Sequence, residues 1–188
     1  MASCRWTTLR AFALCALNSV MLLARRRLRL PKRNVGHELA FADGTTSRIY
    51  RETVLTGAST PSPVLLVVQF RLRLIGHSWL LHALFRAESL LNTPLFAGFP
   101  GFRSKLWITD ERTGVYRGVY EWDGAKRAVG YATAITALLR LLSVSGSVDA
   151  HLTPGVRRDE FLLAPQVAGD PAGASTELWW QLRLPMAS

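Results

Sequence analysis

Asp149 and His151 stand two residues apart in SGSVDAHLTP. On a strand that spacing puts both side chains on one face. A carboxylate beside an imidazole is equipped for general acid/base work, so His151, with Asp149 as its partner, leads the candidates for proton transfer. A subunit-interface hydrogen bond explains the pair equally well. His82 and Glu88 share a second predicted helical segment and are candidate proton acceptors at a pocket mouth; a solvated helix face accounts for them too. Trp107, Tyr116, Tyr120 and Trp122 cluster on two predicted neighbouring strands. Such aromatics either fill a core or, with their polar tips partnered, wall a pocket. Beside Arg103 and Lys105 they suit an aromatic, acidic ligand. Asn92, at a predicted helix end, either turns the chain or touches that ligand.

Other chemistries find little support. No two of the four histidines have metal-ligand spacing, so no metal site is expected. The chain contains no GxGxxG, P-loop, GxSxG or HExxH pattern, and no cofactor is expected. Cys4 and Cys15 precede the predicted domain, which argues against thiol catalysis and a disulfide framework and is compatible with a reducing compartment.

The elements that must position these residues are legible as patterns. Residues 64–74, VLLVVQFRLRL, open as an apolar run and then alternate, as a strand does. Ser78 is a suitable N-cap for a helix over residues 79–91. The stretch GFPGFRSKLWITDERTGVYRGVYEWDG reads as strands over 102–108 and 115–122 around a turn at 110–114. Alternation puts Phe102, Ser104, Leu106 and Ile108 on one face and Arg103, Lys105 and Trp107 on the other. A helix fits residues 125–142, with Ala128, Tyr131, Ile135, Leu138 and Leu142 on its apolar stripe. A last strand fits 147–152. The order is strand–helix–strand–strand–helix–strand, a ferredoxin-like α+β domain over residues 64–155. Residues 36–63 precede it as a β-hairpin turning at Asp43-Gly44 and a linker. Residues 156–188 follow as a docking tail with Trp179-Trp180 as a hydrophobic plug.

Charge is unevenly placed. The net charge is +10, yet residues 1–35 hold eight basic side chains and no acid, leaving the remainder close to neutral. Nucleic-acid binding is therefore not expected of the domain. In the leader, residues 11–24 form an apolar run followed by RRRLRLPKR. As a helix it is about 21 Å long, against roughly 30 Å of bilayer hydrocarbon. It is expected to pack on the domain or lie at an interface, with Arg25, Arg26, Arg27 and Arg29 free to touch anions or lipid. The expected location is cytoplasmic, with residues 1–33 as a peripheral membrane contact.

The segment 100–124, PGFRSKLWITDERTGVYRGVYEWDG, resembles the dimeric α+β barrel superfamily and, within it, the YdhR-like monooxygenases. The strings FRAESLLNTPLFAGFPGF and SVSGSVDAHLTPGVRRDEF resemble uncharacterised bacterial proteins of the same barrel. The resemblance covers about half of the chain. It implies a homodimer in which two sheets meet, giving Gln69, Arg71, Arg73, Arg103, Lys105, Asp149 and His151 a second subunit to face. It also implies a small-molecule pocket, either for cofactor-independent oxidation of an aromatic or quinone-like substrate or for binding alone. A non-catalytic scaffold resting on a membrane through its leader is the alternative reading.

Overall fold

The computed structural model describes residues 17–57, 60–73, 94–163 and 178–183. Its frame is one seven-stranded antiparallel sheet. In chain order the strands are β1 (Leu28–Arg29), β2 (Glu38–Ala40), β3 (Thr46–Leu55), β4 (Pro63–Arg71), β5 (Phe102–Asp110), β6 (Val115–Asp123) and β7 (Asp149–Pro154). The described helices are α1 (Pro94–Ala97), α2 (Ala125–Leu142) and α3 (Arg158–Leu163), together with helical turns over residues 17–24. The strands run β1-β3-β5-β6-β4-β7, with β2 paired to β3. The four domain strands β4, β5, β6 and β7 thus lie second-third-first-fourth across the sheet. That is the ferredoxin-like order, and the class expected from the sequence is the one observed. The expected helix over 79–91 lies outside the described residues.

β6 sits centrally, bonded to β5 on one side and β4 on the other. The apolar run Val64–Val68 is buried throughout because the sheet is covered on both faces. Val64, Leu66 and Val68 join Trp122, Ala128, Tyr131 and Leu139 in a core under α2. Leu65 and Val67 join Leu106, Ile108, Val119, Phe41, Phe161, Trp180 and Leu182 in a second core on the far face. Each aliphatic side chain so buried contributes about 1.5–3 kcal/mol. α2 begins after Gly124, whose φ of 91° favours glycine.

The far face is packed by segments of the same chain. Of the residues expected to face a second subunit, Gln69, Asp149 and His151 lie on this side of the sheet and Lys105 on the other. The hairpin turn and the tail are stitched together there: the Ala42 N–H donates to the Gln181 carbonyl, Arg183 N–H donates to Ala40, and Phe41 bridges Leu182. α3 adds Phe161. β3 runs the length of β5 and extends the sheet.

Arg117 holds this cover down. Its side chain is fully buried and pairs with Asp43 of the hairpin turn. It also donates to Thr45 Oγ1 at 2.8 Å, Ser47 Oγ at 3.1 Å and Gln69 Oε1 at 3.2 Å, and lies over the Phe41 ring. Removing one partner of a buried pair strands the other charge. Asp43→Ala is therefore expected to cost about 3–5 kcal/mol in urea unfolding, and adding Arg117→Met should regain most of it. A loss no greater than that of Lys126→Ala, an exposed control, would contradict this role.

Candidate functional site

Two groups of candidate residues, read as one pocket from the sequence, occupy opposite faces of the sheet. Lys105, Trp107, Tyr116, Tyr120 and Trp122 face α1 and α2. Asp149 and His151 face the tail. Register explains the separation. His151 pairs with Val67 and Asp149 with Gln69, both far-face positions on β4, whereas Tyr120 pairs with Leu66 and with Lys105 on the near face.

On the far face His151 lies flat on Trp180, with ring centroids 3.9 Å apart and planes 8° from parallel. Burial under the indole lowers its pKa. Asp149 accepts a hydrogen bond from Gln69 Nε2 at 3.1 Å at an exposed position. The two side chains therefore have separate neighbours, Trp180 for His151 and Gln69 for Asp149. His82, Glu88 and Asn92 lie outside the described residues.

The near face carries the concentrated chemistry. Lys105 is buried at 6% exposure. Its Nζ sits 3.1 Å from the centroid of the Trp107 ring, 4.6 Å from Phe96 and 4.7 Å from Tyr120. The Arg51 guanidinium, from β3, is 4.1 Å from the same Trp107 ring. Among the described residues no carboxylate pairs with Lys105. Trp107 is fixed by donating from Nε1 to Thr53 Oγ1 at 3.3 Å, and Tyr131 of α2 donates to the Tyr120 hydroxyl at 3.2 Å. Behind them Trp122 packs on Tyr131 at 4.7 Å and Tyr116 stacks on Phe70 at 5.7 Å.

Gly118 makes room for this arrangement. It lies opposite Trp107 on β6. A Cβ there would come within 2.6 Å of the Tyr120 ring, so the ring rests over backbone that only glycine leaves clear.

The electrostatics follow from burial. Desolvation lowers the Lys105 pKa well below the ordinary lysine value, and Arg51 lowers it further. Burial pushes Arg51 down to about 10. Tyr120 is pushed up, chiefly by burial, and stays a phenol. The aromatic faces oppose the shift at Lys105 by favouring an ammonium. A desolvated cation gains about 2 kcal/mol from an aromatic face, less than the several kcal/mol of dehydrating the ion.

Arg103 does not join Lys105. A β-bulge between Phe102 and Ser104 shifts the alternation, sending Phe102 into the near core and Arg103 to Asp123 at 3.2 Å. Phe102 on the Ser104–Leu106 face is thus a second corrected expectation. Arg27, expected free for anions, reaches the Thr56 carbonyl at 3.4 Å and that of Gly57 at 3.3 Å. Sequence reasoning missed Arg51, Phe96, Gly118 and Tyr131 as site residues. A glycine inside an aromatic strand was the available signal for close packing; Arg51 and Phe96 come from elements whose approach only the fold shows.

Solved structures with a similar arrangement include three chains of low identity. One is an uncharacterised ferredoxin-fold protein related to antibiotic biosynthesis monooxygenases from Listeria monocytogenes, with 14% identity, TM-score 0.39 and coverage of 61% of this chain and 66% of that one. Another is a monooxygenase-like protein from Listeria innocua, with 13% identity, TM-score 0.38 and coverage of 58% and 63%. The third is a heme-degrading enzyme from Listeria monocytogenes, with 16% identity, TM-score 0.40 and coverage of 58% and 70%. The chain spans just under two thirds of the length of the first two. No protein-family model and no curated protein matches the chain.

A lysine whose pKa is depressed by folding weakens the fold below its ordinary pKa, because the unfolded state binds the proton more readily. Stability should rise with pH from the folded pKa towards 10.5. Lys105→Met is accordingly expected to stabilise the protein at pH 7 by about 1–2 kcal/mol, with the gain shrinking as pH approaches 10. Denaturant titrations of both proteins across that range test this. A destabilised Lys105→Met whose deficit ignores pH would make the amine a structural ammonium.

Proposed function

We propose that this protein binds a small aromatic molecule on the helix-covered face of its sheet, at the aromatic cluster of Trp107, Tyr120, Phe96 and Lys105. One observation carries the reading: a buried lysine and a buried Arg51 share one tryptophan ring, with no described carboxylate beside the lysine. Rings offer stacking surface, and the two nitrogen groups favour a ligand with oxygen acceptors. Quinone-like and aromatic carbonyl compounds combine both features. Turnover of such a ligand, as in a cofactor-independent monooxygenase, is the finer form of this reading. This reading calls on neither His151 nor Asp149. A homodimer would join at the outer edge of β7, which pairs with no described strand, since the far face is already covered.

The alternative role, at a membrane surface, has its own support. Leu17, Val20, Met21, Leu23 and Leu30 are exposed large apolar side chains, and Arg25, Arg26 and Arg29 are exposed beside them. Among the described residues no helix is long and apolar enough to cross a membrane. This second reading is of a protein that rests its leader on anionic lipid.

Titrating the protein with 1,4-naphthoquinone should quench tryptophan fluorescence saturably. Trp107→Ala should weaken that binding about tenfold or more, as loss of a central aromatic anchor does, with the circular dichroism unchanged. Non-saturating quenching, equal in both proteins, would refute the site. For the leader, flotation with phosphatidylglycerol vesicles should exceed flotation with phosphatidylcholine vesicles and fall in Arg25→Glu/Arg26→Glu/Arg29→Glu. Equal recovery with both lipids would refute anionic docking.

A further inference from the structure

The outward side of α2 carries an unusual set of side chains. The helix buries Ala128, Tyr131, Ala132 and Leu139 against the near core. By helical periodicity the opposite side is Lys126, Val129, Thr133, Ala137, Arg140 and Leu141, and all six are exposed. Leu141 is 74% exposed and Val129 51%. A solvated helix face ordinarily mixes charged and polar side chains. This one has a cation towards each end, small or apolar residues between, and no acid anywhere in residues 125–142. Among the described residues neither Lys126 nor Arg140 has a carboxylate partner.

The leader lies on the same side of the sheet. Leu22 packs on the near core. Asn18 donates from Nδ2 to the Gly98 carbonyl at 3.4 Å, next to Phe99, whose ring meets Tyr131 of α2 edge-on at 5.4 Å. The leader is also held in place: the Thr56 N–H donates to the Arg27 carbonyl at 2.8 Å, and β1 pairs with β3. The exposed Leu17, Val20, Met21 and Leu23 of the leader therefore join Val129 and Leu141 on one side of the protein. Residues 1–35 hold no acid either. Carboxylates gather on the other side, where they are paired. Glu52, Glu121, Asp159 and Glu160 meet Arg157 and Arg158 at the start of α3, and Asp43 meets Arg117. Asp123, just ahead of α2, is held by Arg103 and Arg127.

We infer that α2 is a second membrane contact beside the leader, so that this whole side of the protein lies flat on an anionic lipid surface. The inference rests on the leader reading above and extends it to a surface which that reading does not use. Lys126 and Arg140 gain from the negative potential at the headgroups, while Val129 and Leu141 enter the boundary between headgroups and acyl chains. Each contribution is small, but two anchors fix an orientation that one does not: the sheet parallel to the membrane, with α3 and the tail towards water. Nucleic acid fits this side less well, because its large exposed apolar side chains are aliphatic and offer no ring for a base to stack on.

The test reads which side of the protein enters lipid. In the full chain carrying Cys4→Ser and Cys15→Ser, a single site for the fluorophore NBD is made by Leu23→Cys in the leader, Leu141→Cys in α2 or Leu163→Cys in α3. Leu163 is 82% exposed on the helix that packs the far face, and is the control. With vesicles of equal parts phosphatidylglycerol and phosphatidylcholine, the first two labels should shift to the blue and the third should not. Lys126→Glu/Arg140→Glu should weaken partition into these vesicles about tenfold or more, with the urea midpoint unchanged. A blue shift in the leader alone leaves the leader reading standing and overturns this inference. No shift at either position overturns both. A shift in α3 without one in α2 shows the opposite side meeting lipid and overturns it too. Tight binding of a labelled RNA oligonucleotide, with indifference to vesicles, would make the surface one for nucleic acid and refute the inference.

Discussion

The structure depends on one strand that must satisfy two unlike cores at once. β6 is central, and its residues alternate between the faces without slack. Tyr116, Gly118, Tyr120 and Trp122 point to the helices, while Arg117, Val119 and Glu121 point to the hairpin and tail. A slip of one residue would exchange the sets, placing Arg117 among tryptophans and Tyr120 against Leu65. Neither arrangement could be satisfied. The register is thus held from both sides, by aromatic packing above and by the Arg117–Asp43 pair below.

Much of this was legible in the chain. The alternation in residues 115–122, the apolar stripe of α2 and the Asp43-Gly44 turn follow from periodicity and local backbone preference, which act over a few residues. The reading failed where a single residue broke period. The bulge after Phe102 reassigns that side chain to the near core, and nothing in PGFRSKL distinguishes a bulged strand from a regular one. It also failed where function was inferred from spacing alone. Asp149 and His151 do share a face, as their separation demands, but which face depends on the pairing of β7 with β4. The stacking of His151 on Trp180 joins residues 29 positions apart, a contact that no local pattern encodes. Trp180 packs into the far-face core, a position that no local pattern foretells.

Covering the far face has a cost and a consequence. Buried charges accumulate there: Arg117 with Asp43, and Arg158 with Glu52 at 2.9 Å, the latter also receiving Asn34 at 3.1 Å. Such networks give less net stability than apolar packing but tolerate few alternative arrangements. They tie the hairpin, the segment before it and α3 to one geometry. The near face instead holds Lys105 among aromatic rings, with no carboxylate paired to it among the described residues. Desolvation that is compensated on one side of the sheet is left standing on the other, at Lys105. Stability sacrificed in this way is common where a residue serves function.

The most direct measurement is an NMR titration of the three lysine side chains, observed at 13Cε in lysine-labelled protein. Lys32 and Lys126 are exposed and should titrate together in the ordinary lysine range. The account predicts that the Lys105 resonance moves well below them, as burial and Arg51 require. Three coincident curves would contradict the claim that burial and Arg51 depress the Lys105 pKa.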